Sequence, residues 1–211
     1  MTRYRTPIVV GLALVGTVLT GCSEGNVGGT PIPETTGTAS TPSNSAPANG
    51  APKVKEPLPA TVLNGAPCDT ALTAADVNEF IGTSAAGQPG ENELGPKCYW
   101  SDAQGSGAGF TVFYQIKAKG GLGPAYQNVK PRAARWEELA AIQGYPAVGY
   151  LPAGAEGSRA SGCQVVVGIS DDLAFSVAMT LGDGARNKGV DPCTAGRDVA
   201  DRVLTNIKGR A

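Results

Sequence analysis

Apolar residues between Thr61 and Ala211 fall into short runs of two kinds, divided by glycine, proline and aspartate. The first kind has helical spacing. Leu72-Thr73-Ala74-Ala75-Asp76-Val77-Asn78-Glu79-Phe80-Ile81-Gly82 predicts a short helix, with Thr73 as N-cap, Asp76 as its reciprocal acid and Gly82 as its stop. Val77, Phe80 and Ile81 then face inward. A second helix is predicted at the end of the domain, opened by Asp191-Pro192 and carrying Val199, Val203, Leu204 and Ile207 as an apolar stripe.

Runs of the second kind are rich in β-branched and aromatic residues and read as strands. Gly109-Phe110-Thr111-Val112-Phe113-Tyr114-Gln115-Ile116 is a strong one, and Cys98-Tyr99-Trp100-Ser101 a shorter one. Gln164-Val165-Val166-Val167-Gly168-Ile169 and Leu173-Ala174-Phe175-Ser176-Val177-Ala178-Met179, joined through Ser170-Asp171-Asp172, predict an antiparallel hairpin because the loop is so short. Arg135 to Ile142 fits either a strand or the end of a helix, and Gly144-Tyr145-Pro146 predicts a turn before Ala147 to Leu151. Gly120 to Pro131 fits no single pattern. Helix, strands with a middle connection, then helix predicts an α+β domain: an antiparallel β-sheet with flanking N- and C-terminal helices packed mainly on one face.

The first 21 residues differ in kind. Arg3 and Arg5 precede an uncharged, mostly apolar stretch from Pro7 to Leu19, the architecture of a secretory signal. At about 13 residues this stretch is shorter than the roughly 20 that a membrane-spanning helix needs. Leu19-Thr20-Gly21 leads into Cys22, which resembles the bacterial lipobox. That resemblance implies a diacylglyceryl thioether on Cys22, cleavage after Gly21 and anchoring at the outer face of the cell membrane, since two acyl chains hold firmly where one is marginal.

Five cysteines are an odd number for an exported chain, and lipidation of Cys22 removes the odd one. Cys68, Cys98, Cys163 and Cys193 remain, an even set for which two disulfides are expected in an oxidising compartment. Of three possible connectivities, Cys68 with Cys98 and Cys163 with Cys193 is favoured, because each pair encloses a loop of similar size and ties a flanking helix to the nearest strand. A metal site is not expected: no C-x-x-C occurs, and there is no histidine to complete a mixed zinc set.

Composition separates residues 22–60 from 61–211. Ser23 to Pro59 has no aromatic residue and too few large apolar ones to offset its ordering entropy, so it reads as a disordered Ser/Thr/Pro/Gly-rich tether with a span of about 30 to 35 Å. Residues 61–211 are long enough for one folded extracytoplasmic domain. Without Arg3 and Arg5 the chain is slightly acidic and its lysines and arginines are scattered, which argues against nucleic acid and against a basic lipid-binding surface.

The set of motifs is recognisable as a whole. The lipobox, the tether, Pro67-Cys68-Asp69-Thr70-Ala71-Leu72-Thr73-Ala74-Ala75-Asp76-Val77, Cys98-Tyr99-Trp100, Gly144-Tyr145-Pro146-Ala147-Val148, Cys163 in a strand and Asp191-Pro192-Cys193 together resemble a family of actinobacterial secreted lipoproteins of unknown function (DUF3558-like). The resemblance implies an envelope location and a four-cysteine domain; it brings no catalytic residue and no ligand.

Candidate chemistry is sparse. Without histidine, the common Ser-His-Asp and Cys-His arrangements are excluded. Gly105-Ser106-Gly107-Ala108-Gly109 is not G-x-S-x-G and precedes a strand, so it reads as a loop. Asp171 and Asp172 sit at a turn that favours aspartate for backbone reasons. Asp183, Asn187 and Asp191 miss the spacing of a calcium loop. Trp100, Tyr114, Trp136, Tyr145 and Tyr150 are read as core and half-buried sheet residues rather than a ligand groove. No cofactor is expected. The sequence therefore favours a non-catalytic, membrane-anchored envelope lipoprotein binding a partner protein or a small or lipidic ligand, over a hydrolase or transferase working through two carboxylates.

Overall fold

The structure, a computed structural model, describes residues 48–155 and 162–210. The signal segment 1–21, Cys22 and the tether through residue 47 lie outside the described residues. Among the described residues seven strands form one antiparallel sheet: β1 (Gln88–Asn92), β2 (Gly95–Ser101), β3 (Gly109–Gln115), β4 (Arg135–Ile142), β5 (Tyr145–Leu151), β6 (Gly162–Gly168) and β7 (Ala174–Thr180). Their order across the sheet is β1-β2-β3-β7-β6-β5-β4, so β3 and β7 pair at the centre, and β1 and β4 are the edges.

Among the described residues four α-helices accompany the sheet: α1 (Pro67–Thr70), α2 (Ala74–Ile81), α3 (Asp183–Asn187) and α4 (Pro192–Lys208). Together with the sheet they make the expected α+β arrangement. Side chains alternate across each strand, and Cys98, Trp100, Phe110, Val112, Tyr114, Val165, Val167, Phe175 and Val177 point to the face that α4 covers with Val199, Val203, Leu204 and Ile207, the last four wholly buried. Gly196 lets α4 approach closely, since a Cβ there would lie 3.1 Å from Val165 and 3.3 Å from Met179.

Local sequence signals explain the ends of these elements. The Thr73 hydroxyl accepts the Asp76 amide while the Asp76 carboxylate accepts the Thr73 amide, a reciprocal cap, and Gly82 stops α2 in the left-handed region at φ 72°. Asp191 Oδ1 accepts the amides of Cys193 and Thr194 to start α4. Two disulfides fasten helix to strand on this same face, Cys68 of α1 to Cys98 of β2 and Cys163 of β6 to Cys193 of α4, each with Cα atoms 5.0 Å apart.

Several expectations are corrected. The turn expected at Gly144-Tyr145-Pro146 is the pair Gln143-Gly144, both at positive φ (51° and 89°), a two-residue hairpin loop whose twist matches the strands it joins; Tyr145 and Pro146 already belong to β5. Of the two readings open for Arg135–Ile142, the strand is the one found, because the segment pairs with β5. Packing starts upstream of residue 61. Ala51 is buried, Val54 and Leu58 rest on the core, the Val54 amide donates to Asp171 Oδ1 and the Leu58 amide to the Ile169 carbonyl. The segment lacks aromatic residues, but the β6–β7 turn supplies the acceptors that hold it.

Candidate functional site

Helices cover one face of the sheet; the opposite face is only half covered. Over β4, β5 and β6 it is closed by the connection from β3 to β4, which makes a π-helical turn at Ala125–Val129 and a 3-10 turn at Lys130–Arg132. Leu122, Ala125 and Tyr126 pack there on Val148, Val166 and Ala174. Tyr126 meets Trp136 edge-on at 5.1 Å, Trp136 stacks on Tyr150 at 6.3 Å, and Lys130 lies 4.8 Å from the Tyr126 ring while reaching Glu138 at 3.0 Å. Burial, with Glu138 nearby, pushes the Tyr126 hydroxyl up to about 12.

Where this cover ends, the second face opens along Gln164 of β6, Ala178 of β7, Thr111 of β3 and Tyr99 of β2, the first three half-buried and Tyr99 exposed. Register places Trp136, Tyr150, Gln164, Ala178, Thr111, Tyr99 and Gln88 side by side, one from each strand, in a single row across the sheet. The next row contains Ser176 and Phe113. Ser176 is fully buried, and its Oγ accepts Nε2 of both Gln115 (3.0 Å) and Gln164 (3.3 Å). Gln164 is thereby held in place with its Oε1 making no bond to the described residues. The hydroxyls of Thr111, Tyr99 and Tyr150 likewise form no hydrogen bond among the described residues.

At the border between the covered and open halves lies a groove of about 440 Å3, lined by Tyr150 and Gln164 on the sheet and by Asn128 and Arg132 on the cover. Arg132 Nε donates to the Asn128 carbonyl at 2.9 Å, which fixes the guanidinium along the rim. A second hollow of about 340 Å3 sits on the helical side between α2, α3 and α4, where Phe80, Ile81, Met179, Leu181 and Val190 make it apolar.

Predicted site residues fall elsewhere. Cys22 lies outside the described residues, and the four other cysteines are consumed in disulfides. Asp171 is a turn residue whose carboxylate accepts the Val54 amide; Asp172 lies in the same turn, which Ser170 caps by accepting the Asp172 and Leu173 amides on its Oγ. Asp183 pairs with Arg186, whereas Asp191 caps α4 and accepts Arg135 at 2.5 Å, so Asp183, Asn187 and Asp191 do not converge on one ligand position. Trp100, Tyr114 and Tyr145 are core residues; Trp136 and Tyr150 are the two that reach the second face.

One group of possible ligand atoms was not anticipated. Glu137, Asp191 and Cys193 lie within 4.8 Å of one another. The Cys193 sulfur is bonded to Cys163, and Arg135 bridges both carboxylates, at 2.9 Å to Glu137. Burial raises the Asp191 carboxyl, but Arg135 and the helix amides outweigh it and hold it below the usual range. The cluster thus offers two carboxylates ion-paired to Arg135 at the start of α4 and a sulfur already in a disulfide, rather than three open ligand atoms. The open row went unnoticed in the sequence, although alternation was its signal: Phe110, Val112 and Tyr114 point inward, which obliges Thr111, Phe113 and Gln115 to point out.

No curated protein and no solved structure matches this chain. A family model described as "Protein of unknown function (DUF3558)" matches residues 17–206. With that match spanning most of its length, the chain belongs to the DUF3558 family.

Proposed function

We propose that this protein is a non-catalytic cell-envelope lipoprotein, held at the outer face of the cell membrane by a lipid on Cys22, and that its domain binds its target through the open half of the sheet. The anchor rests on Arg3, Arg5, the apolar stretch to Leu19 and the small residues before Cys22. Two disulfides in the domain support an oxidising location. The binding role rests on one observation above all. On one face of the sheet Tyr99, Thr111 and Tyr150 carry hydroxyls with no hydrogen-bond partner among the described residues, beside Gln164, whose side-chain amide Ser176 Oγ holds. Such convergent, unspent polar groups beside aromatic rings are what ligand sites use for orientation.

A two-part experiment tests the proposal. Wild-type protein is expected in the membrane fraction and Cys22→Ser in the soluble fraction; a soluble, unlipidated wild type would overturn the anchor. A photocrosslinking amino acid in place of Thr111 is expected to capture a discrete envelope component, and the same group in place of exposed Asp198, on the outer side of α4, is not. Equal capture at both positions, or none at Thr111, would overturn the assignment of the open face.

A further inference from the structure

The chemistry of the open row is specific enough to name a ligand class. Resting on the reading of that face as the binding surface, we infer that the row from Tyr150 to Tyr99 is a site for a neutral oligosaccharide. Tyr150 on β5 and Tyr99 on β2 stand four strand spacings apart, a separation of about 19 Å along the row. That is the reach of a short oligosaccharide rather than of a single sugar. Between them lie Gln164, Ala178 and Thr111, so that Ala178 and Thr111 in the middle of the row are smaller than the aromatic residue at each end.

Each part of the row matches a feature of a sugar chain. The C–H face of a pyranose packs on an aromatic ring, and Tyr99 offers one with 41 % of its surface exposed. Hydroxyl groups both donate and accept, so they pair with groups that do the same or that supply both kinds of atom: the Thr111 hydroxyl, the free Oε1 of Gln164 and the side-chain amide of Asn128 at the groove rim. Ser176 fixes Gln164 from below, which lowers the entropy lost when a ligand binds.

Other ligand classes fit less well. No carboxylate lies in the row, so a cationic ligand finds no counter-charge, and Arg132 stands at one rim already bonded to a backbone carbonyl. Protein interfaces place aromatic and apolar anchors at the centre with a polar rim. Here the order is reversed, with small and polar residues at the centre and rings at the ends. Among the described residues the groove on this face is walled by Gln164, Asn128 and Arg132 as well as Tyr150, polar groups that an acyl chain would leave unpaired.

The test uses the full-length lipidated protein in detergent, applied to an array of neutral oligosaccharides of graded length, with the tightest binder then titrated by Trp fluorescence, for which Trp136 sits at the end of the row. Saturable binding is expected, weakened about tenfold by Tyr99→Ala and by the near-isosteric Thr111→Val, and unchanged by Val190→Ser on the opposite side. Circular dichroism melts of each variant separate a lost contact from a lost fold. Absence of binding to every neutral glycan, or binding indifferent to both row variants, would overturn the inference. If the array is silent but Tyr99→Arg still abolishes crosslinking from position 111, the sugar class falls and the open face stands; if crosslinking also fails, both fall.

Discussion

Asn206, on the last turns of α4, donates its side-chain amide to the Asp76 carboxylate at 3.1 Å and to the Ala71 carbonyl at 2.9 Å, joining the two ends of the folded domain. The same carboxylate accepts the Thr73 amide at 2.9 Å, the Thr73 hydroxyl at 2.8 Å and the Arg202 guanidinium. A residue legible in the sequence as a local helix cap is thus also the long-range acceptor that docks α2 against α4.

Acid should weaken this junction in a defined window. Burial raises the Asp76 carboxyl, but its bonds to Thr73, Arg202 and Asn206 outweigh that and bring it down from 3.8 to about 2. A depressed carboxyl stabilises the fold above its unfolded value and loses that contribution as pH falls through the folded one. Roughly 2 kcal/mol should therefore disappear between about pH 4 and pH 2. Urea melts at stepped pH check it: Asp76→Asn should be less stable than wild type at pH 7 and show a flatter acid limb, and parallel limbs in the two proteins would refute the assignment.

How far the sequence foretold this fold depends on where the information lay. Thr73, Asp76 and Gly82 marked both ends of α2 because capping is local chemistry, and Asp191-Pro192 marked the start of α4 in the same way. The strand β1, Gln88-Pro89-Gly90-Glu91-Asn92, has no β-branched or aromatic residue and exists because β2 offers it a partner; its Pro89 and Gly90 suit an edge that should not recruit further strands. The cover over β4 to β6 was equally hidden, since Leu122 and Tyr126 acquire meaning only once Val148 and Val166 lie beneath them. The open row was half legible: its residues could be assigned to a face, but which neighbours they meet follows from a strand order that no short pattern encodes.

Each disulfide should contribute stability on its own. Both bridge residues 30 apart. Closing a loop of that size is worth about 3 to 4 kcal/mol in the chain-entropy model. Replacing Cys163 and Cys193 together by alanine should lower the melting temperature by several degrees and loosen the first turn of α4, whereas the Cys68 and Cys98 pair should loosen α1 against β2. Hydrogen exchange resolves the two. Protection lost over the same residues in both variants would contradict independent staples.

Tyr114 and Thr70 give a sharper test of the buried polar core. Thr70 Oγ1 donates its one proton to the Ala66 carbonyl at 2.9 Å, so in their 2.8 Å contact Tyr114 is the donor. Burial holds the Tyr114 hydroxyl up to about 12. Such a raised group stabilises the fold fully below pH 10 and loses that contribution toward pH 12. Tyr114→Phe should cost about 1 kcal/mol at neutral pH, and should remove the part of the alkaline transition due to this residue. An alkaline limb unchanged in the variant would show that other tyrosines govern it.

Gly87 is the last residue before β1, and its backbone is not in the left-handed region, so any effect of substitution there is steric. A Cβ at this position would fall on Cys98 Sγ and lie 2.8 Å from Trp100 Nε1. Neither neighbour can give way easily: the sulfur is fixed in the disulfide to Cys68, and Trp100 is buried against Phe110 at 5.3 Å between ring centroids. Overpacking of a rigid site of this kind costs roughly 1 to 3 kcal/mol. Gly87→Ala should therefore destabilise the domain by that amount, even though alanine ordinarily lowers the entropy of the unfolded chain and would stabilise a permissive position. Gly184→Ala supplies the comparison, because a Cβ there meets nothing within 4 Å and the residue lies inside α3, where alanine is the better helix former. Denaturant melts of the two variants should shift in opposite directions. If Gly87→Ala is neutral, β1 can move away from the Cys68–Cys98 bridge, and the close packing of this edge on the disulfide does not constrain it.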